Sequence, residues 1–340
     1  MTSTKSEQYR HRSVTAGDVK AILSVVNTHS EKHYGEKRWG EDEVLSWFDA
    51  DGRPARDDME IWRNAKGEAC AYAQLCDSEW PPTWDVWLDL TVHPQSSGDS
   101  GLWREVLNWA ERKTCELIPA RDANAGHRCG VRILETDKPG LQALEQRGYV
   151  RVRTETLMHT ELTGDSMVAP EWPDGIQVRI LNLDRDLESY AGAYGEAFRD
   201  HWGHTELSRE ELIRKKEGEF SSWGAEFIPE LWFLAVDGDE IVGGAGNFLN
   251  YGGSPRRSYM YNVFVRRAWR NRGIATALLR HSFQAVHHRG ARSAELHVDS
   301  ENLTWALELY RGVGMSPLWH QHLYERILPP TPSRDREDCH

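Results

Sequence analysis

Residues 266–276 read RRAWRNRGIAT and place four arginines and one glycine between the strand-like SYMYNVFV (258–265) and an apolar helical run. Each part has a chemical use there. The first turn of a helix leaves N–H groups unpaired, and the positive end of its dipole lies beside them, so it attracts an anion. Gly273 brings no Cβ to hold a bound group away, and Ala275 keeps the next turn small. Arg266, Arg267, Arg270 and Arg272 add charge and forked donors that suit phosphate oxygens. The combination predicts a pyrophosphate cradle. It is not a P-loop, which ends in Gly-Lys-Ser/Thr, nor the dinucleotide fingerprint, which needs two further glycines.

The elements around this loop follow from periodicity. IQVRIL is a strand candidate, and DLESYAGAYGEAFRDHW has helical apolar spacing. Ser208 and Glu211 form a capping box that opens the next helix. ELWFLAVDGDEIVGGAGNFLNY is a hairpin turning at Asp237-Gly238. After the cradle, Ile274, Leu278 and Val286 repeat at helical spacing, followed by the strand SAELHV, the helix LTWALELYRGV and the strand LWHQHLYERI. The first half runs in parallel. A strand at YRHRSV, a helix, a hairpin at Lys66-Gly67, the strand WDVWLDLTV, the polar loop HPQSSGDSG and a helix recur in the same order, and VRVRTETLMHTEL closes the series. The order indicates a diverged repeat and a mixed α/β (α+β) sheet with helices on both faces. The expected division is 1–161, a linker at 162–176 rich in Gly, Ser, Pro and Asp, 177–328, and a disordered tail at 329–340.

VFVRRAWRNRGIATALL resembles the acyl-coenzyme A motif of the GNAT superfamily of N-acetyltransferases, Arg/Gln-x-x-Gly-x-Gly/Ala after a strand, with Arg270, Gly273 and Ala275 at its fixed positions. LHVDSENLTWALELYRGVGM resembles the family's next block, with Asn302, Ala306, Leu309, Tyr310, Gly314 and Met315 in register. The resemblance covers 177–328 and implies two tandem GNAT domains, the second catalytic. It implies acetyl-CoA as the acyl donor, held by Val263, Phe264, Val265, Arg270, Asn271, Arg272, Gly273, Ile274, Ala275, Thr276, Asn302 and Tyr310. The strands 258–265 and 293–298 are expected to splay around the thioester, and Tyr310 stands where the family places the acid for the leaving thiolate. The strand before the cradle has no carboxylate, so Tyr259, Tyr261 or Asn262 is expected to hold a water that relays the amine proton, with His297 and Glu295 on the next strand as alternatives. His201, Trp202 and His204 fall in the segment that forms the acceptor wall. The catalytic set is thus Tyr310, Asn262 and Tyr259, and the acceptor set is His201, Trp202, His204, Tyr261 and His297.

The first half departs from the motif. Gln95 and Gly98 suit it, but Ser100 replaces the small apolar residue and the arginines are missing. Aligning Gly148 with Gly314 puts Leu144 where Tyr310 stands, so this half is expected to be a degenerate copy.

Composition limits the alternatives. The chain has 340 residues, 39% hydrophobic and 28% charged, with a net charge of −12, which disfavours nucleic acid and anionic membranes as main partners. The five cysteines form no Cys-x-x-Cys pair, and the polar start MTSTKSEQYRHRS lacks the apolar region of a signal peptide, so a cytoplasmic location is expected. No metal is expected: the histidine pairs at 287–288 and 320–322 read as surface residues. The reading is an acetyl-CoA-dependent N-acetyltransferase acting by direct attack of a primary amine of a small molecule, as a monomer or homodimer. An acyl-CoA-sensing regulator, or an acetyltransferase of protein lysines or N-termini, is the alternative.

Overall fold

The structure is a computed structural model that describes residues 9–48, 51–52, 58–77, 84–118, 126–300 and 306–329. Asn302 and residues 330–340 of the expected tail lie outside the described residues. The chain forms two compact units, Glu155–His320 and the pair Met1–Thr154 with Gln321–His340.

The first unit contains β1 (Tyr9–Ser13), α1 (Val19–Tyr34), α2 (Glu41–Leu45), β2 (Met59–Asn64), β3 (Ala69–Asp77), β4 (Val86–Val92), α3 (Ser100–Leu117), β5 (His127–Leu134), α4 (Lys138–Arg147) and the start of β6 (Val150–Glu161). The β2–β3 hairpin turns where Gly67 takes φ +83°, the left-handed conformation that glycine adopts without strain. Strands β1 to β4 pair antiparallel, while β4 and β5 run parallel because α3 crosses over between them.

The second unit holds β7 (Ile176–Ile180), α5 (Leu183–Phe198), α6 (Arg209–Ser222), β8 (Trp232–Asp237), β9 (Glu240–Leu249), β10 (Arg257–Val265), α7 (Ile274–His288), β11 (Ser293–Asp299), α8 (Ala306–Gly312) and the start of β12 (Ser316–Leu328). The capping box at the start of α6 forms: the Ser208 hydroxyl accepts from the Glu211 N–H, and the Ser208 N–H donates to the Glu211 carboxylate at 2.8 Å. Strands β7 to β10 pair antiparallel, and β10 meets β11 in parallel through the α7 crossover. The apolar face of α7 buries Leu279, Phe283 and Val286 against Met260, Phe264 and Leu296. Phe283 is fully buried, so its truncation to alanine would cost about 3–5 kcal/mol.

The units do not follow the halves of the sequence. Residues 155–161 of β6 pair with β11, and residues 321–328 of β12 pair with β5. The buried side chains follow: Met158 and Leu162 belong to the core of the second unit, Tyr324 and Leu328 to that of the first. Element order alone does not reveal this exchange, because an antiparallel last strand satisfies either sheet equally well.

The repeat is visible in side chains as well as in strand order. In the first unit Arg12 donates twice to Asp18 at 2.8 Å, and the Thr15 N–H donates to the same carboxylate. In the second, Arg179 donates twice to Asp186, at 2.6 and 3.0 Å, and the Asn182 N–H does so at 2.9 Å. Each clamp ties the first strand to the start of the first long helix.

Candidate active site

In the second unit β10 and β11 pair only from Arg257↔Ser293 to Tyr259↔Glu295, although β10 continues to Val265 and β11 to Asp299. Beyond Tyr259 the two strands part, as expected. The register of β10 against β9 also shifts between Met260 and Asn262, a bulge that bends the strand at the same point. The Arg266 N–H donates to Val242 on β9 at 2.8 Å. Since backbone groups alternate sides along a strand, Phe264 faces β9, and the N–H groups of Val263 and Val265 face the opened seam. Consistent with this, the carbonyl of Val265 accepts from Arg270 rather than from β9.

The cradle lies just past that strand. Asn271 and Gly273 both take left-handed φ, +62° and +84°, and turn the chain into α7. A Cβ on Gly273 would meet nothing within 4 Å, so the surface there is open. The N–H groups of Ile274, Ala275 and Thr276 meet no side-chain cap. The side chain of Ile274 is buried and packs with Val265 and Leu278, leaving its backbone for any ligand. Phe264 likewise turns its ring into the core, against Tyr190, Tyr194 and Phe198 of α5.

The arginines divide differently from the sequence expectation. Arg266 pairs with Glu196 at 2.7 Å and with Glu240, and Arg267 pairs with Asp200. Arg270 bonds the carbonyls of Ala197 at 2.8 Å and Val265 at 3.2 Å, and lies 3.3 Å from Asp200. Hydrogen bonds from Arg267 and Arg270 hold the Asp200 carboxyl below its usual range. These three arginines brace the loop against the end of α5, and Arg272, exposed beside Gly273, has no carboxylate partner among the described residues. The three carboxylates come from α5 and its following turn and from β9, so three of the four arginines of the loop have carboxylate partners.

Tyr310 is buried on α8 in the core cluster that includes Met260, Phe264, Leu296 and Val298. Burial pushes its hydroxyl up to about 12, so it stays protonated at neutral pH. The C-terminus of α8 fixes its position: Gly314 takes φ +89°, and the Met315 N–H returns to the Tyr310 carbonyl at 3.0 Å.

The remaining expected residues do not gather in one place. The Tyr259 hydroxyl and the His297 Nδ1 are 3.1 Å apart, at the point where the seam opens, with the Tyr259 ring stacked on Tyr251 and the His297 ring against Trp319. Asn262 does not join them. Its amide donates to the Tyr190 hydroxyl at 3.0 Å, toward α5, and its Oδ1 has no partner among the described residues. Tyr261 packs its ring against Trp223, Trp232 and Phe248. After α5, the His201 ring packs at a tilt against Phe198, and burial together with nearby Arg270 pushes its imidazole down to about 4, so it is neutral and a weak base. Trp202 is half-buried beside it, and His204 lies 3.8 Å from Glu206. Glu295 is buried, paired with His159 and Arg257, which makes it a structural carboxylate.

The fold, the parted strands and the glycine-opened helix define an acyl-transferring enzyme class. The acetyltransferase (GNAT) family pattern matches residues 192–315. A mycothiol acetyltransferase of Geodermatophilus obscurus is 30% identical over 260 residues, spanning 74% of this chain and 77% of that protein. One from Thermobifida fusca is 27% identical over 278 residues, spanning 76% and 78%. A GCN5-related N-acetyltransferase from Sphaerobacter thermophilus superposes with a TM-score of 0.77 at 29% identity, covering 95% of this chain and 96% of its own. A tandem GNAT protein from the clavulanic acid biosynthesis pathway shares the fold, with a TM-score of 0.70 at 15% identity over 95% of this chain and 100% of its own. This chain belongs to the GNAT acetyltransferase family, in its tandem form. No helix among the described residues is long and apolar enough to cross a membrane.

Proposed function

We propose that the second unit transfers an acetyl group from acetyl-CoA to the primary amine of a small molecule. The observation that carries this reading is the seam between β10 and β11, which exposes the N–H groups of Val263 and Val265 beside an uncapped helix start. The residues fit the donor. The N–H groups of Gly273 to Thr276, with Arg272, suit its pyrophosphate, and Gly273 leaves the surface open for it. Bound acetyl-CoA supplies the activated thioester carbonyl. The Val263 and Val265 N–H groups are placed to polarise its oxygen.

Tyr310 then acts as the donor to the departing sulfur. A hydroxyl near 12 is a weak acid against a thiol in water, whose ordinary value is about 8.5. The same burial raises a thiol as well, as it does for Cys129 in this chain, so the two groups are better matched inside the site than outside it. His297, oriented by Tyr259, is the best-placed base for the amine proton, since the pair sits where the strands part. His201 and Trp202 form the acceptor wall.

The relatives' names point to an acceptor related to mycothiol. The test is acetyl-CoA-dependent thiol release against a panel of amines that includes the unacetylated form of mycothiol. Release with one amine and not with lysine-bearing peptides supports the reading. Acetyl-CoA binding without release by any amine would favour an acyl-CoA sensor.

A further inference from the structure

The first unit brings together three side chains that the repeat does not require. His29 and His33 lie one turn apart on α1, and Asp137 opens α4. The His29 Nε2 is 3.3 Å from Asp137 Oδ2, the two imidazole centroids are 4.4 Å apart, and one donor atom from each of the three residues lies within 4.8 Å of the others. We infer that His29, His33 and Asp137 form a binding site for a zinc-like divalent ion, with an open fourth position for water.

The donor set and spacing suit such an ion. Two imidazoles and a carboxylate are the ligands of many three-residue zinc sites, and a four-coordinate ion with bonds of about 2.0–2.2 Å keeps its donors about 3.3–3.6 Å apart. The His29–Asp137 contact is already at that spacing, and a rotamer adjustment closes the rest. The outer contacts are also in place. The His33 Nδ1 is 2.7 Å from the Thr136 hydroxyl, which leaves Nε2 for the ion. Asp137 Oδ1 accepts from the Gly140 N–H at 3.2 Å, which leaves Oδ2. The Asp137 side chain is 5% exposed and that of His29 17%, so the site is sheltered yet open on one side. An ordinary ion pair between His29 and Asp137 accounts for two of the residues but gives no reason for a second imidazole to converge on the same carboxylate. The site lies within the first unit and rests on none of the acetyl-transfer residues.

The experiment is calorimetric titration of Zn2+ into the chelator-stripped full chain, with Co2+ absorption to report coordination. The expected result is one ion per chain, four-coordinate cobalt and a higher melting temperature with metal. H29Q and H33Q should each weaken binding by more than about 100-fold, and T136V by about tenfold. D137N keeps the helix cap, since asparagine caps as well as aspartate, and should still lose the ion. H287Q/H288Q, which alters the histidine pair at the end of α7, should bind as the wild type does. No uptake by the folded wild-type chain would overturn the site. So would uptake that survives H29Q/H33Q in a folded variant, or that disappears in H287Q/H288Q.

Discussion

The helix after the fourth strand begins differently in the two units. In the second, α7 starts at Gly273, in left-handed conformation, with no side chain over its first N–H groups. In the first, α3 starts at Asp99, whose carboxylate accepts from the Gly101 and Leu102 N–H groups at 2.8 and 3.3 Å, and the Tyr9 hydroxyl donates to its other oxygen. The place where α7 offers a ligand an electropositive helix end is filled in α3 by the protein's own anion. A second contrast lies at the end of the next helix. Gly148 and Gly314 both take left-handed φ near 90°, and the next N–H returns to Leu144 in one unit and Tyr310 in the other, each at 3.0 Å. The backbone geometry matches, and the side chain differs: leucine, with no proton to give, stands where the second unit has a phenol. β4 and β5 also part after three paired residues, as β10 and β11 do. The opened strand pair is thus common to both units, whereas the side chains at the helix start and at the Tyr310 position are not.

The largest expected effect tests the Leu144–Tyr310 difference. Tyr310→Phe should lower kcat by about 10²–10³ while acetyl-CoA affinity stays within about twofold, because only the proton donor is removed. An unchanged kcat would make Tyr310 a packing residue like Leu144. Next, Gly273→Asp would place a carboxylate at the start of α7, as at α3. Aspartate tolerates the left-handed φ, so the helix should form, and acetyl-CoA should bind about 100-fold more weakly through charge repulsion. Binding at full strength, measured by calorimetry, would mean that the helix start is not where the phosphates sit.

Features shared by the two units should respond alike. Burial opposes ionisation of Asp186, but hydrogen bonds from Arg185 and Arg179 outweigh it and hold the carboxyl well below its usual value. Asp18 is likewise held low, with Arg12, the Thr15 N–H and Arg63 prevailing over burial. A carboxyl depressed in the folded state stabilises above its unfolded value near 4, and that contribution is lost as pH falls through the folded value. Stability in urea melts should therefore decline below about pH 4, with each group contributing at most about 1.4 kcal/mol per pH unit. Asp18→Asn and Asp186→Asn should each flatten that decline. A flattening confined to one variant would show that the clamp is intact in only one unit.

Much of this was legible in the sequence, because it depends on short spans. The hairpin turns, the Ser208 capping box, the helix after Gly273 and the register of Tyr310 with Gly314 each rest on residues a few positions apart. What escaped depends on distant residues meeting. Nothing in RRAWRNR indicates that Glu196, Asp200 and Glu240 converge on Arg266, Arg267 and Arg270. Nor did the polar loop HPQSSGDSG reveal that Asp99 caps α3 and accepts from Tyr9, 90 residues away. His29 and His33 stand at helical spacing that could have been noticed, but Asp137, more than 100 residues on, could not have been joined to them. The strand exchange of β6 and β12 is hidden for the same reason.

The smallest expected effect decides whether the first unit is a closed site or only a covered one. Asp99→Ala removes the cap and should cost about 1 kcal/mol of stability, a shift of about 2–4 °C in the melting of that unit. It also frees the N–H groups of Gly101 and Leu102. Acetyl-CoA should nevertheless bind with a stoichiometry of one. The loop before α3 has no arginine, and Gly98 does not take the left-handed turn that opens the start of α7. An anion there would meet a helix end alone, worth about 0.3–1 kcal/mol, far short of micromolar binding at about 8 kcal/mol. A second binding event in this variant would mean that one carboxylate is all that separates the two units, and that the first retains a working donor pocket beneath it.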